Sequence, residues 1–287
     1  MASDNYEDMV GVRLRSALTA VGDAAELALT PVGLLADEIP RQRAALAETA
    51  HRPWPLPARA WVMGQTWHSL LFAHWEVSPE ALRPLIPRPL ELDLREGRAW
   101  LGVTPFVVAG TRGRGTPPLP WLSRFPELNV RTYVAYAGRP GIYFFSLDAA
   151  RVAAVAGARR TYRLPYFHAR MSSRPEGNTV HYESRRIDSR GPFVQWRARY
   201  GPTGPRLPVV DASLERWLAE RYCLYVVDEH HGPLRADIHH PPWPLQPAGA
   251  TIALNTMARP LGLELDSDPV LHYSARQDTL IWTLEPA

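Results

Sequence analysis

From Trp61 onward the chain is a succession of short runs with strand-like patterning, each ended by a turn signal: AWLGVTPFVV, ELNVRTYVAY, GIYFFSLDA, TYRLPYFHARM, NTVHYESRR, FVQWRARY, CLYVVD, ADIHH and DTLIWTLE. Period-two alternation belongs to a β-strand, because successive side chains point to opposite faces. Many strands at regular spacing predict an antiparallel sheet system, closed or nearly closed. Two short helices interrupt it. Ser78 caps SPEALRPLI, with Pro79 at the first helical position and Pro87 ending the helix. Asp211 or Ser213 opens SLERWLAERY, with Leu214, Trp217, Leu218 and Tyr222 on one side.

One run places polar groups where a sheet usually buries apolar ones. In FPELNVRTYV, Leu128, Val130, Thr132 and Val134 share one face, and Glu127, Asn129, Arg131 and Tyr133 share the other. Asn, Arg and Tyr flanked by aromatics suit the lining of an enclosed cavity better than a solvated surface. The turn AGRPG joins this run to GIYFFSLDA. A four-residue loop, Gly138 to Gly141, sets Ala137 opposite Ile142, so that Tyr133 faces Ser146 and Arg131 faces Asp148. TYRLPYFHARM adds Tyr166, His168 and Arg170 on one face. If these strands are neighbours, the candidate site comprises Glu127, Arg131, Asp148 and His168 for catalysis, with Asn129, Tyr133, Tyr143, Ser146, Tyr166 and Arg170 for ligand binding.

Composition excludes several function classes. The chain has 287 residues, 46% of them hydrophobic, ample for a sizeable core. No apolar run approaches the roughly 18 residues of a membrane helix, and the acidic start MASDNYEDMV is unlike an export signal; a soluble, cytoplasmic protein is expected. The single cysteine, Cys223, forms no internal disulfide and suits a small buried apolar position. With a formal net charge of only +3 and arginines scattered among 29 acidic residues, nucleic acid is not an expected partner. All 32 basic residues are arginine. No side-chain amine exists to form a Schiff base.

The first 50 residues read differently from the rest. Val10, Leu14, Leu18, Val21, Ala25 and Leu29 form a stripe at helical spacing, and a second short helix is expected over residues 41 to 49. The stripe is too interrupted by charge to cross a bilayer and too apolar to stand alone in water. Residues 1–50 are thus expected to be a helical arm packed on its own domain or, by preference, on a second chain in a homodimer. The proline-rich HRPWPLPARAW, residues 51 to 61, leads into the main domain, residues 51–287.

The ordered motifs LRPLIPRPLELDLREGRAWLGVTPF, FPELNVRTYV, PGIYFFSLDA, LPYFHARM and HHPPWPLQPA resemble the YqjF-like family of the acetoacetate-decarboxylase-like superfamily, over roughly residues 55 to 250. The resemblance implies a mainly β fold: a double-layered antiparallel β-barrel or cone around an internal cavity, here with an N-terminal helical arm and a few short helices. Acetoacetate decarboxylases form a Schiff base on a lysine and hold substrate with a glutamate and an arginine. By motif order Glu127 matches that glutamate, whereas FFSLDA lies where that family has its Phe-Pro-Lys-Lys run, so Ser146, Leu147 and Asp148 replace the electron sink. What the resemblance leaves is a carboxylate, an arginine and hydrogen-bond donors. Arg131 would clamp a carboxylate or hold Asp148, Glu127 would act as acid or base, and His168 would shuttle protons or pack as a hydrogen-bonded core residue.

The remaining signals are weaker. DEHHGPLRADIHH, residues 228 to 240, is rich in metal-ligand types but has no HExxH-like spacing, and neither a metal nor another cofactor is expected. GTRGRG, residues 110 to 115, leads into prolines rather than a helix, which excludes a phosphate loop. His68 and His74 in TWHSLLFAHWEV read as packed strand residues. Two functions stay open: an acid-base enzyme (lyase, dehydratase, isomerase or cyclase) acting on a small oxo-acid or enolisable carbonyl compound, and a non-catalytic barrel that binds a small organic ligand.

Overall fold

The strands pair in a way that closes a ring. The computed structural model describes residues 31–118 and 124–287. Its strands are β1 (Met63–Val77), β2 (Glu91–Leu92), β3 (Ala99–Gly113), β4 (Phe125–Tyr136), β5 (Arg139–Ala149), β6 (Tyr166–Glu176), β7 (Thr179–Arg186), β8 (Gln195–Pro202), β9 (Cys223–Asp228), β10 (Gly232–His239), β11 (Gln246–Asn255), β12 (Val270–Ile281) and β13 (Glu285–Pro286). Pairing runs from β1 through β3, β4, β5, β9, β10 and β12 back to β1. A second path leaves this ring at β5 and rejoins it at β12 through β6, β7, β8 and β11. The pairings are antiparallel except those of β5 with β6 and β9. β5 and β6 are joined by a helical crossover, the connection that parallel neighbours require.

Each ring strand therefore has two different destinations for its side chains. Leu71, Leu101, Leu128 and Val130 pack outward against Tyr182, Trp196 and Tyr200 of the second path, forming the largest apolar cluster. Fully burying a large apolar side chain contributes about 1.5–3 kcal/mol. The opposite face of the same strands looks into the ring.

Four α-helices accompany the strands among the described residues: α1 (Pro31–Ala45), α2 (Pro79–Leu82), α3 (Val152–Tyr162) and α4 (Leu214–Ala219). The caps stand where the sequence puts them, Ser78 Oγ accepting from Ala81 N and Ser213 Oγ from Arg216 N, each at 3.3 Å. α3 differs from expectation: the sequence reading carries residues 161 and 162 into a strand that begins only at Tyr166. α1 also differs, starting ten residues before the expected helix and ending at Ala45. Buried Gln42 ties it to the chain's own sheet, accepting from Arg112 Nε at 2.8 Å and donating to Thr66 Oγ1 at 3.3 Å. Gly110 admits the helix, since a Cβ there would lie 2.0 Å from Glu38 Oε2. The Val10 to Leu29 stripe lies outside the described residues. No helix among those residues is long and apolar enough to cross a membrane.

The β4–β5 hairpin corrects the expected register. Tyr136 pairs with Arg139, so the turn is only Ala137 and Gly138, both at positive φ of 48° and 75°. An irregularity between Val130 and Arg131 then shifts the pairing by one residue. Arg131 faces Phe144 and Tyr133 faces Ile142, while Val130 faces Ser146 and Leu128 faces Asp148. Ser146 and Asp148 accordingly share the outward face, away from Glu127.

Candidate active site

The inward face of β4 is a wall of a cavity of about 320 Å³. Glu127, Asn129 and Arg131 line it in succession and are only 4%, 7% and 7% exposed. Thr104 of β3, directly opposite Asn129, lines it as well. Tyr166 enters from the start of β6, and its hydroxyl donates to Glu127 Oε1 at 3.1 Å. Arg221, just past α4, and His240, just past β10, also line it, as do Gln65, Thr111, Thr161 and Tyr162. Most of the remaining lining is apolar.

That environment acts differently on each charge. Burial pushes the Glu127 carboxyl up to about 8, against hydrogen bonds from Tyr166 and Asn129 that favour its ionised form. Arg131 has no carboxylate partner among the described residues. Its Nη2 reaches Leu218 O at 3.5 Å, Tyr133 supports its charge, and its Nε has no hydrogen-bond partner. The guanidinium lies 5.2 Å from the Phe72 ring centre. Arg221 is anchored by Asp93 and by Trp217 O, yet its Nη2 is unpartnered. A buried cation with free donors in the same cavity wall as a proton-bearing carboxyl is an arrangement that can receive a carboxylate and exchange a proton with the rest of the same molecule.

Tyr133 stands behind this wall rather than in it. Its hydroxyl donates to Leu218 O at 2.6 Å and lies 2.7 Å from His74 Nε2, while Arg221 stacks on its ring at 4.7 Å. Burial, aided by Arg131, holds His74 well below the usual histidine range, so its ring is neutral. These contacts position Arg221, and Arg131 lies 6.0 Å from the same ring.

Of the other residues expected to converge, the structure brings none to the cavity. Asp148 pairs with Arg186 of β7 in the layer between the sheets. Ser146 points the same way, because the shifted register turns both outward. Tyr143 is half-buried and meets Phe145 edge-on at 5.4 Å. His168 lies further along β6, where its backbone N–H donates to Asp188 Oδ2 at 2.9 Å. Arg170 is exposed opposite Arg185.

Arg221 and His240 escaped the sequence reading for identifiable reasons. The spacing in SLERWLAERY predicts one helix, but α4 ends at Ala219 and the chain beyond it turns Arg221 into the cavity. In the sequence His240 stands at the end of a stretch, residues 228 to 240, whose only signal is its richness in metal-ligand types. Its Nδ1 lies 2.8 Å from Pro241 O and its Nε2 3.2 Å from Arg221 O, and burial lowers its basicity. A neutral imidazole has one N–H and can satisfy only one of these carbonyls. Among the described residues no group of three or more His, Cys, Asp or Glu side chains is placed to hold a metal ion.

Comparison with known proteins adds to this geometry. Residues 64–278 match the DUF2071 family, described as an uncharacterized conserved protein. The uncharacterized protein YqjF of Bacillus subtilis (strain 168) is 45% identical over 230 residues, covering 80% of this chain and 94% of that relative. Acetoacetate decarboxylase from Legionella pneumophila subsp. pneumophila str. Philadelphia 1 superposes with a TM-score of 0.54 at 15% identity, over 83% of this chain and 93% of its own. The enduracididine biosynthesis enzyme MppR complexed with pyruvate gives 0.53 at 14% identity, over 83% and 94%. The fold is of the acetoacetate-decarboxylase-like kind.

Proposed function

The chain belongs to the DUF2071 family, and from that starting point we propose that it is a small-molecule enzyme moving protons on an oxo-acid or enolisable carbonyl compound without a Schiff base. One observation carries the reading: Glu127, its carboxyl raised by burial to about 8, shares the inner face of β4 with Arg131, a buried guanidinium lacking a carboxylate partner among the described residues. A group titrating near neutrality is suited to both giving and taking a proton. Arg131, with Arg221, holds the substrate carboxylate by charge-assisted hydrogen bonds. Glu127 takes a proton from the carbon next to the keto group, and Thr104 or Asn129 steadies the enol oxygen. The pyruvate complex of MppR supports a small oxo-acid as the ligand class. The absence of lysine supports chemistry other than imine formation.

The test is isotope exchange. Unbranched 2-oxo acids incubated with the protein in D2O lose their C3 proton signal faster than in buffer, and Glu127→Gln slows this at least about a hundredfold. Binding without exchange for every acid tried would overturn the enzyme reading in favour of a ligand-binding barrel.

A further inference from the structure

The cavity's polar groups occupy only part of its wall. Ile142, Phe144 and Leu147 of β5 line the remainder together with Leu164, Leu224 and Ile238, all members of a single packed cluster. α3 contributes Ala154, Gly157, Ala158 and Thr161, spaced so that they share one face of the helix. A Cβ built on Gly157 would meet no atom within 4 Å. The open space beside this helix therefore reflects missing side chains, since a helical backbone accepts larger residues at such a position. About 320 Å³ is the room of roughly ten water molecules at about 30 Å³ each, more than a three-carbon acid fills. A short acid held at Arg131 would leave the apolar walls uncovered.

We infer that the substrate is an oxo-acid carrying an unbranched apolar tail of several carbons, its carboxylate at Arg131 and its tail lying along the small-residue face of α3 against Ile142, Phe144 and Leu147. The inference rests on the oxo-acid reading of the cavity and narrows it. Gly157 becomes the residue that sets how long a tail is accepted, because a side chain there would fill the same space. Each methylene buried tightens binding about fourfold.

Titration calorimetry on the full chain tests this with unbranched 2-oxo acids from pyruvate to 2-oxooctanoate, and with alcohols carrying the same tails. Affinity for the acids rises about threefold to fourfold per methylene and exceeds that of the matching alcohol. Gly157→Phe lowers the affinity ratio of 2-oxooctanoate to pyruvate at least tenfold. Equal affinity across the wild-type series, or alcohols binding as well as acids, overturns the inference, and the wild-type series decides alone should the variant fail to fold. The two readings fail separately: a flat series with C3 exchange removes the tail and keeps the chemistry, whereas a steep series without exchange removes the chemistry and keeps the tail.

Discussion

Arg186 Nε donates to Asp148 Oδ1 at 2.8 Å and its Nη2 lies 2.7 Å from the same oxygen, in a pair shut between the two sheet layers. Burial pushes the Asp148 carboxyl up to about 6 against the pull of Arg186, so it is ionised at neutral pH. Removing the carboxylate leaves a buried guanidinium uncompensated. Asp148→Ala is expected to cost about 3–5 kcal/mol in urea unfolding. Unchanged stability would contradict this structural role.

Arg131 carries the opposite expectation. With no carboxylate to orphan, Arg131→Met removes a buried charge and leaves folding stability level or about 1 kcal/mol higher. Binding of pyruvate weakens at least tenfold, read by calorimetry. A destabilised variant with intact binding would show that Arg131 serves the fold.

How much of this was legible in the sequence follows from what each signal depends on. Alternation in β4 is local, so the inward set Glu127, Asn129 and Arg131 could be read directly, and Ser78 and Ser213 announced their helices by capping chemistry. The partner of Arg131 was not local. It depended on Ala137 adopting positive φ in a two-residue turn and on a one-residue irregularity beside Val130, neither of which leaves a composition signal. A one-residue slip moves side chains to the other face, which is how Asp148 and Ser146 left the expected site. α3 was missed because alanine and glycine give it no apolar stripe, although its alanines have strong helix propensity. Arg221 and His240 reach the cavity only through long-range packing.

Stability should fall with pH because of Glu127. Its folded value of about 8 stands above the ordinary value of 4.5, so the folded state binds the proton more tightly. The contribution is full below about 4.5, declines as pH rises and is lost once pH passes about 8, roughly 5 kcal/mol in all. Urea unfolding of the parent and of Glu127→Gln from pH 5 to pH 8.5 should show profiles that converge at acid pH and separate at alkaline pH. Parallel profiles would contradict the shift.

The chemistry also predicts a negative trapping result. Incubation with acetoacetate or pyruvate plus borohydride leaves the mass of every internal peptide unchanged, because no lysine exists to form the imine. A reduced adduct on an internal side chain would refute the proposal that catalysis avoids a Schiff base.

The central claim is that Glu127 titrates near neutrality inside the cavity, and infrared difference spectroscopy addresses it without any knowledge of the substrate. The protonated-carboxyl C=O band, taken as parent minus Glu127→Gln across pH 3 to 10, should disappear with a midpoint near 8. A midpoint in the ordinary carboxylate range, near 4.5, would show an ionised glutamate at neutral pH and contradict the account.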